Sequence, residues 1–195
     1  MTLDFSEAAG YYGLFSFIPV FVLTRGVVDV SAGTVPYYYL IANLGALGGG
    51  LLVSWTLDRA GRKPTVLLSY LAAAGSVFLV AAAAGTGSPV LTLVAFTVAV
   101  FFATAAWVSA YPTFTEQFPT RLRATGVGAS VAVGRLGAIV GAVVLAQMAS
   151  VFGLWSAFAT LAAFWSIGAV AAGIWWLRGV EARGVSLEAL ARSGG

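Results

Sequence analysis

Of 195 residues, 60% are apolar and 9% charged, and the mean hydropathy is +0.95; a soluble core of this size cannot hide so much apolar surface, whereas a lipid bilayer can. Histidine and cysteine are absent and Lys63 is the only lysine, which excludes imidazole or thiolate metal sites, histidine triads, cysteine nucleophiles and disulfides, so neither a metal nor a cofactor is expected. The net charge of +3 arises from 10 cations against 7 acids, the cations distributed mostly among loops rather than gathered into a patch, which argues against a nucleic-acid partner.

Crossing roughly 30 Å of hydrocarbon takes about 20 apolar residues, and six runs meet that length, at 8–24, 34–57, 65–84, 89–112, 124–149 and 153–177. The fold class is therefore all-α: a polytopic membrane protein whose residues 1–178 form a six-helix bundle, followed by a tail at 179–195. The first run is the shortest and contains Gly10, Gly13 and Pro19, so neighbouring helices must satisfy the backbone groups freed there. A cleaved signal peptide is not expected, because Asp4 and Glu7 precede the run without any Lys or Arg. These two acids are placed at the edge of the first span, and the deeper parts of all six spans lack Asp and Glu.

In the second span Tyr39, Asn43, Gly50 and Ser54 fall near one face, and Gly45 with Gly49 forms a small-xxx-small pair. The fourth span carries Thr97, Phe101, Thr104 and Tyr111 near one face, with Trp107 adjacent. Either polar stripe could line a cavity or serve as interhelical glue. The fifth span carries a second small-xxx-small pair, Gly137 and Gly141, for which close helix packing is the expected meaning. Arg135 stands apart from all of these. It lies 11 residues beyond Ala124, or about 16 Å into the bilayer at 1.5 Å per residue. A cation at that depth costs a few kcal/mol and faces a bundle interior or water-filled cavity. Its expected partner is an anionic substrate, a backbone carbonyl or a carboxylate from another chain.

The loops set the orientation. With six spans both termini share one side, together with Arg59, Arg62, Lys63, Arg121, Arg123, Arg178, Arg183 and Arg192, while the opposite side holds Arg25. That bias places both termini in the cytoplasm of a cell whose inner membrane the chain crosses. On the cytoplasmic side, Gly61 permits a tight turn and Asp58 is placed to meet the positive end of another helix. Arg59, Arg62 and Lys63 would anchor to anionic headgroups or to Glu116 and the tail acids Glu181 and Glu188. Glu116, Arg121 and Arg123 around Pro119 form a second charged cluster.

Asp58-Arg59-Ala60-Gly61-Arg62-Lys63 resembles the D-R-x-G-R-[RK] loop of the major facilitator superfamily. The stretch from Glu116 to Gly126, read as E-x-F-P-T-x-x-R-x-x-G, is similar to a second signature of that family, and Glu181 to Glu188 is similar to the ending of its sugar-porter and metabolite:proton symporter branches. Ser54 replaces the Gly of the full loop signature, and Val180 and Ala182 replace the Pro and Thr of the tail pattern.

The resemblance covers nearly the whole chain and implies the C-terminal half, spans seven to twelve, of a twelve-span transporter. It further implies that the third and sixth spans are peripheral supports and that the other four line the pathway. Arg135, Asn43, Tyr39, Thr104, Trp107 and Tyr111 are then the candidate pathway residues. Asp58, Arg59, Gly61, Arg62, Lys63, Glu116, Arg121 and Arg123 form a candidate cytoplasmic gate. The expected activity is movement of a small organic metabolite by alternating access, with Arg135 pointing to an organic anion. The other wall would come from a missing N-terminal half or from a second copy in a parallel homodimer. A non-transporting fragment or membrane scaffold is the competing expectation, and no catalytic motif supports an enzyme.

Overall fold

In the computed structural model, the described residues are 1–23, 27–28, 30–118 and 120–178, without the side chains of residues 114, 116, 117 and 178. The tail motif at 181–188, the Glu116 side chain, Arg25 and Pro119 lie outside them.

Six helices long and apolar enough to cross a membrane follow one another in chain order. Helix α1 spans Thr2–Phe17 and continues as a π-helical segment, Ile18–Leu23, that takes in Pro19. Proline has no N–H and clashes with the preceding turn, and the wider π turn accommodates it. After a 3-10 turn at Ala32–Thr34 come α2 (Val35–Arg59), α3 (Arg62–Gly85), α4 (Pro89–Gln117), α5 (Arg123–Val151) and α6 (Leu154–Arg178). The tight link between α2 and α3 turns on Gly61 at φ 95°, a left-handed conformation that only glycine adopts without strain. Ser88 caps α4 by accepting the Leu91 N–H at 3.4 Å, and Pro89 stands at the first helical position, where its missing donor costs nothing.

Two intimate helix pairs organise the bundle: α1 lies along α5, and α2 lies along α4. Each pair is parallel and each is zipped by glycines of one partner against backbone of the other. On α5, Gly134, Gly137 and Gly141 face Asp4, Phe5 and Ala9 in turn, and a Cβ on Gly141 would sit 2.6 Å from the Ala9 carbonyl oxygen. On α2, Gly45 and Gly49 face the carbonyls of Thr97 and Phe101. Such contacts replace the hydrophobic driving force that lipid does not supply between helices. The two seams are equivalent if α1–α3 and α4–α6 are matched as inverted three-helix repeats, an internal symmetry common in transporters.

Helix α3 packs between α4 and α6, and α6 closes onto α1 and α5. Phe17, Ile18, Tyr70, Phe96, Leu145, Leu161 and Trp165 fill the core at 2% exposure or less. Gly10 makes room for the Trp165 ring, and Gly13 for Leu145 and Leu161. Leu40, Leu44, Leu47 and Leu51 run exposed along α2, as do Leu136, Ile139 and Val143 along α5. With six such spans the chain is a multi-pass membrane protein.

Candidate functional site

Three helices, α1, α2 and α4, contribute one continuous aromatic face. Trp107 on α4 stacks on Tyr111 at 5.9 Å and meets Tyr11 and Tyr12 of α1 at 5.0 and 6.0 Å between ring centroids. Tyr11 continues to Phe15 at 4.8 Å, and Phe15 stacks on Tyr39 of α2 at 5.9 Å. The Tyr39 hydroxyl donates to the Phe15 carbonyl at 2.6 Å, fixing α2 to α1 at the outer end of the row. Edge-to-face and offset contacts of this kind each add about 0.5–1.5 kcal/mol beyond burial and hold the rings in place.

Arg135 of α5 closes the other end. Its Nη1 donates to the Tyr12 hydroxyl at 2.9 Å, and its guanidinium carbon lies 6.0 Å from the centre of the Tyr12 ring, within cation–π range. The partner is thus a tyrosine hydroxyl of the same chain, outside the set expected for it. One acceptor leaves most of the five guanidinium donors available to a carboxylate. Arg135 is itself exposed, so the positive charge is accessible at the aromatic face.

The other candidate pathway residues divide. Thr104 faces the Tyr11 phenol, and its hydroxyl is buried without a hydrogen-bond partner among the described residues. Asn43 is exposed and donates to the Tyr39 carbonyl one turn back at 2.7 Å. Thr97 faces α2 at Gly45, so the α4 stripe splits between helix packing and the aromatic face. Tyr11, Tyr12 and Phe15 were not singled out by periodicity, since an aromatic run near the start of a short span resembles an interfacial belt.

At the end of α2, Asp58 and Arg59 are exposed, and the Arg59 guanidinium lies 4.4 Å over the Trp55 ring. Arg62 Nη1 donates to the Leu57 carbonyl at 3.4 Å. Lys63 Nζ donates to the Trp176 carbonyl at 3.0 Å, fastening the start of α3 to the end of α6. Arg121 is exposed, and Arg123 Nη2 donates to the Thr120 hydroxyl at 3.4 Å.

Asp4 and Glu7 do not lie at an edge. They are 2% and 0% exposed, enclosed by α3, α5 and α6. The Tyr70 hydroxyl donates to Glu7 Oε2 at 2.8 Å, with the Leu3 carbonyl at 3.2 Å as the alternative acceptor. Asp4 packs on Gly134, and Ser6 between the two acids donates to the Phe164 carbonyl. Proximity to the first residue had disguised their depth.

Among solved structures, a crystal structure of an autoinhibited POT-family peptide transporter superposes with a TM-score of 0.71 at 16% identity, over 92% of this chain and 37% of that one. Among curated proteins, a Bacillus subtilis (strain 168) protein, NiaP, whose name assigns it to niacin/nicotinamide transport, is 32% identical over 75% of this chain and 35% of its own. The niacin transporter NiaP of Acinetobacter baylyi (strain ATCC 33305 / BD413 / ADP1) is 31% identical over 74% of this chain and 31% of its own. The chain therefore spans about a third of the length of these relatives. Residues 9–193 match the family model described as sugar (and other) transporter. With its six-helix bundle and paired loop motifs, the chain belongs to this transporter family of the major facilitator superfamily.

Proposed function

We propose that the chain forms one wall of a carrier for a small aromatic carboxylate of the niacin type, moved by alternating access. The observation that carries this is Arg135, presented by Tyr12 at the end of a row of aromatic rings. A flat ring stacks against Trp107 and its tyrosine neighbours, while its carboxylate takes the guanidinium in a two-point hydrogen bond. The names of the two relatives are consistent with such a substrate. Facilitator sites lie near the bilayer midplane between two halves, and the opposite wall is supplied either by a separate N-terminal half or by a second copy in parallel orientation. The positive-inside bias supports an inner-membrane location with the α2–α3 and α4–α5 links on the cytoplasmic side.

Nicotinate binding to the chain in lipid nanodiscs, followed by tryptophan fluorescence, tests this reading. Saturable quenching that disappears in Trp107→Phe and Arg135→Gln is the expected result. Quenching that survives both substitutions removes the aromatic face from the site, and a complete lack of binding favours a scaffold that needs its partner half.

A further inference from the structure

Helix α4 carries the threonines Thr92, Thr97, Thr104, Thr113 and Thr115, and all but one are satisfied on the helix itself. Thr92, Thr97 and Thr113 donate to the carbonyls of Ser88, Leu93 and Ser109, one turn back, at 2.9, 2.8 and 3.0 Å. Thr115 donates to the Pro112 carbonyl at 2.8 Å. A hydroxyl on a membrane helix ordinarily disposes of its proton in this way, since lipid offers no acceptor. Thr104 departs from the pattern. Its hydroxyl is enclosed and faces the Tyr11 phenol of α1, without meeting full hydrogen-bond geometry to any described residue.

Tyr11 is set apart in the same way. Tyr38 and Tyr39 give their hydroxyl protons to the Pro89 and Phe15 carbonyls, and Tyr70 gives its own to Glu7. Tyr12 receives Arg135, so its hydroxyl belongs to the cationic end of the aromatic row. No acceptor takes up the Tyr11 proton among the described residues. The ring itself is held on two sides, by Trp107 at 5.0 Å and by Phe15 at 4.8 Å. Thr104 precedes Trp107 by one helical turn, so the hydroxyl pair and the indole share a face. Each hydroxyl offers one proton and two lone pairs. When Thr104 donates to the Tyr11 oxygen, the Tyr11 proton turns away from Thr104 and lacks only an acceptor.

We propose that Tyr11, backed by Thr104, donates its hydroxyl hydrogen bond to a ring nitrogen of the bound aromatic carboxylate and so selects pyridine carboxylates over benzene carboxylates. The proposal rests on the Arg135 reading of the site and extends it to the opposite edge of the ligand. Three contacts then have three separate tasks: the guanidinium takes the carboxylate, the indole takes the face of the ring, and the phenol reads its edge. An unprotonated pyridine nitrogen carries its lone pair in the ring plane, so a donor at the edge leaves the stack on Trp107 undisturbed. Thr104 is a positioning residue, because it touches Tyr11 rather than the ligand and sets the direction of the phenol proton. A ring with C–H in place of nitrogen leaves both hydroxyls unpaired in an enclosed place. Sites built to hydrogen-bond a substrate reject analogues that lack the partner atom for this reason.

The test compares nicotinate with benzoate, which keeps the ring and the carboxylate but has no ring nitrogen. Binding to the 195-residue chain in lipid nanodiscs is followed by tryptophan fluorescence. Wild-type protein should prefer nicotinate by about tenfold. Tyr11→Phe keeps a ring between Trp107 and Phe15 and should bring the two acids within about twofold, by weakening nicotinate and leaving benzoate unchanged. The retained benzoate binding also reports that the variant is folded. Thr104→Val should lower the preference to about threefold, and Thr104→Ser, which keeps the hydroxyl, should retain it. Equal affinity for the two acids in the wild type, or a preference that survives Tyr11→Phe, overturns the inference and leaves the Arg135 reading standing. Equal losses of both acids in Tyr11→Phe give the phenol a packing role alone and overturn it too. If neither acid binds, or both bind Arg135→Gln as well as wild type, the anion reading fails and the inference falls with it.

Discussion

The Tyr12 hydroxyl accepts a hydrogen bond from Arg135 at 2.9 Å, joining α1 to α5 at the point where their glycine seam opens onto the aromatic face. The contact positions the guanidinium through a single hydrogen bond to a phenol oxygen and leaves its other donors to a ligand. Tyr12→Phe should therefore leave the charge in place but loosen its aim, weakening nicotinate binding about three- to tenfold. Arg135→Gln removes the charge-assisted pair and should weaken it about tenfold to a hundredfold or more. Titrating nicotinate against both variants orders the two effects, and equal losses would argue against a charge contact.

Nicotinamide has the ring of nicotinate without its charge. If Arg135 anchors the carboxylate, wild-type protein should prefer nicotinate by at least about tenfold, and Arg135→Gln should erase the preference by losing the anion rather than gaining the amide. Competition between the two compounds measures this directly. An undiminished preference in the variant would place recognition elsewhere.

The glycine seam predicts a steep size limit. Gly137 of α5 lies against the Phe5 backbone, whereas Gly128 of the same helix has open space around its Cβ position. Gly137→Val should destabilise the bundle by about 1–3 kcal/mol, as overpacking of a close contact does. Gly128→Val should be neutral within about 0.5 kcal/mol. Thermal unfolding of the two variants in one detergent makes the comparison. Similar melting temperatures would show that the α1–α5 contact is looser than the structure has it.

A parallel homodimer would bring Asp58 of one copy near the start of α5 of the other. The structure makes Gly128 a better crosslinking position than Gly126, whose Cβ space is filled by the Phe118 ring. In this cysteine-free chain, Asp58→Cys combined with Gly128→Cys should give a disulfide-linked dimer on mild oxidation in membranes. A monomer under those conditions would direct attention to a separate partner half.

The number of spans was legible because each carries about 20 apolar residues between charged or glycine-rich breaks, and the described helices reproduce all six. Arg135 was legible for a related reason: a lone cation deep in an apolar run has few inexpensive explanations. The acids were not. Asp4 and Glu7 stand among the first residues of the sequence, where an apolar window sees only a polar flank, and their enclosure depends on where α3, α5 and α6 pass. Thr97 misled for the complementary reason. Helical period assigned it to a polar stripe, but close approach of Gly45 turned that part of α4 toward α2. Periodicity tells which residues share a face; it does not tell what the face meets.

The two seams also bear on how the bundle could move. Along α1–α5 and α2–α4 the contact is main chain on main chain, with glycine hydrogens in place of interlocking side chains. A joint of that kind has no rotamers to exchange and loses many atomic contacts at once if the rods separate even slightly. Each pair should consequently travel as a stiff double strut. Motion between conformations then falls to the boundaries where larger side chains meet, at the aromatic row between α1 and α4 and at the π-helical outer end of α1, the places where a small rotation costs least.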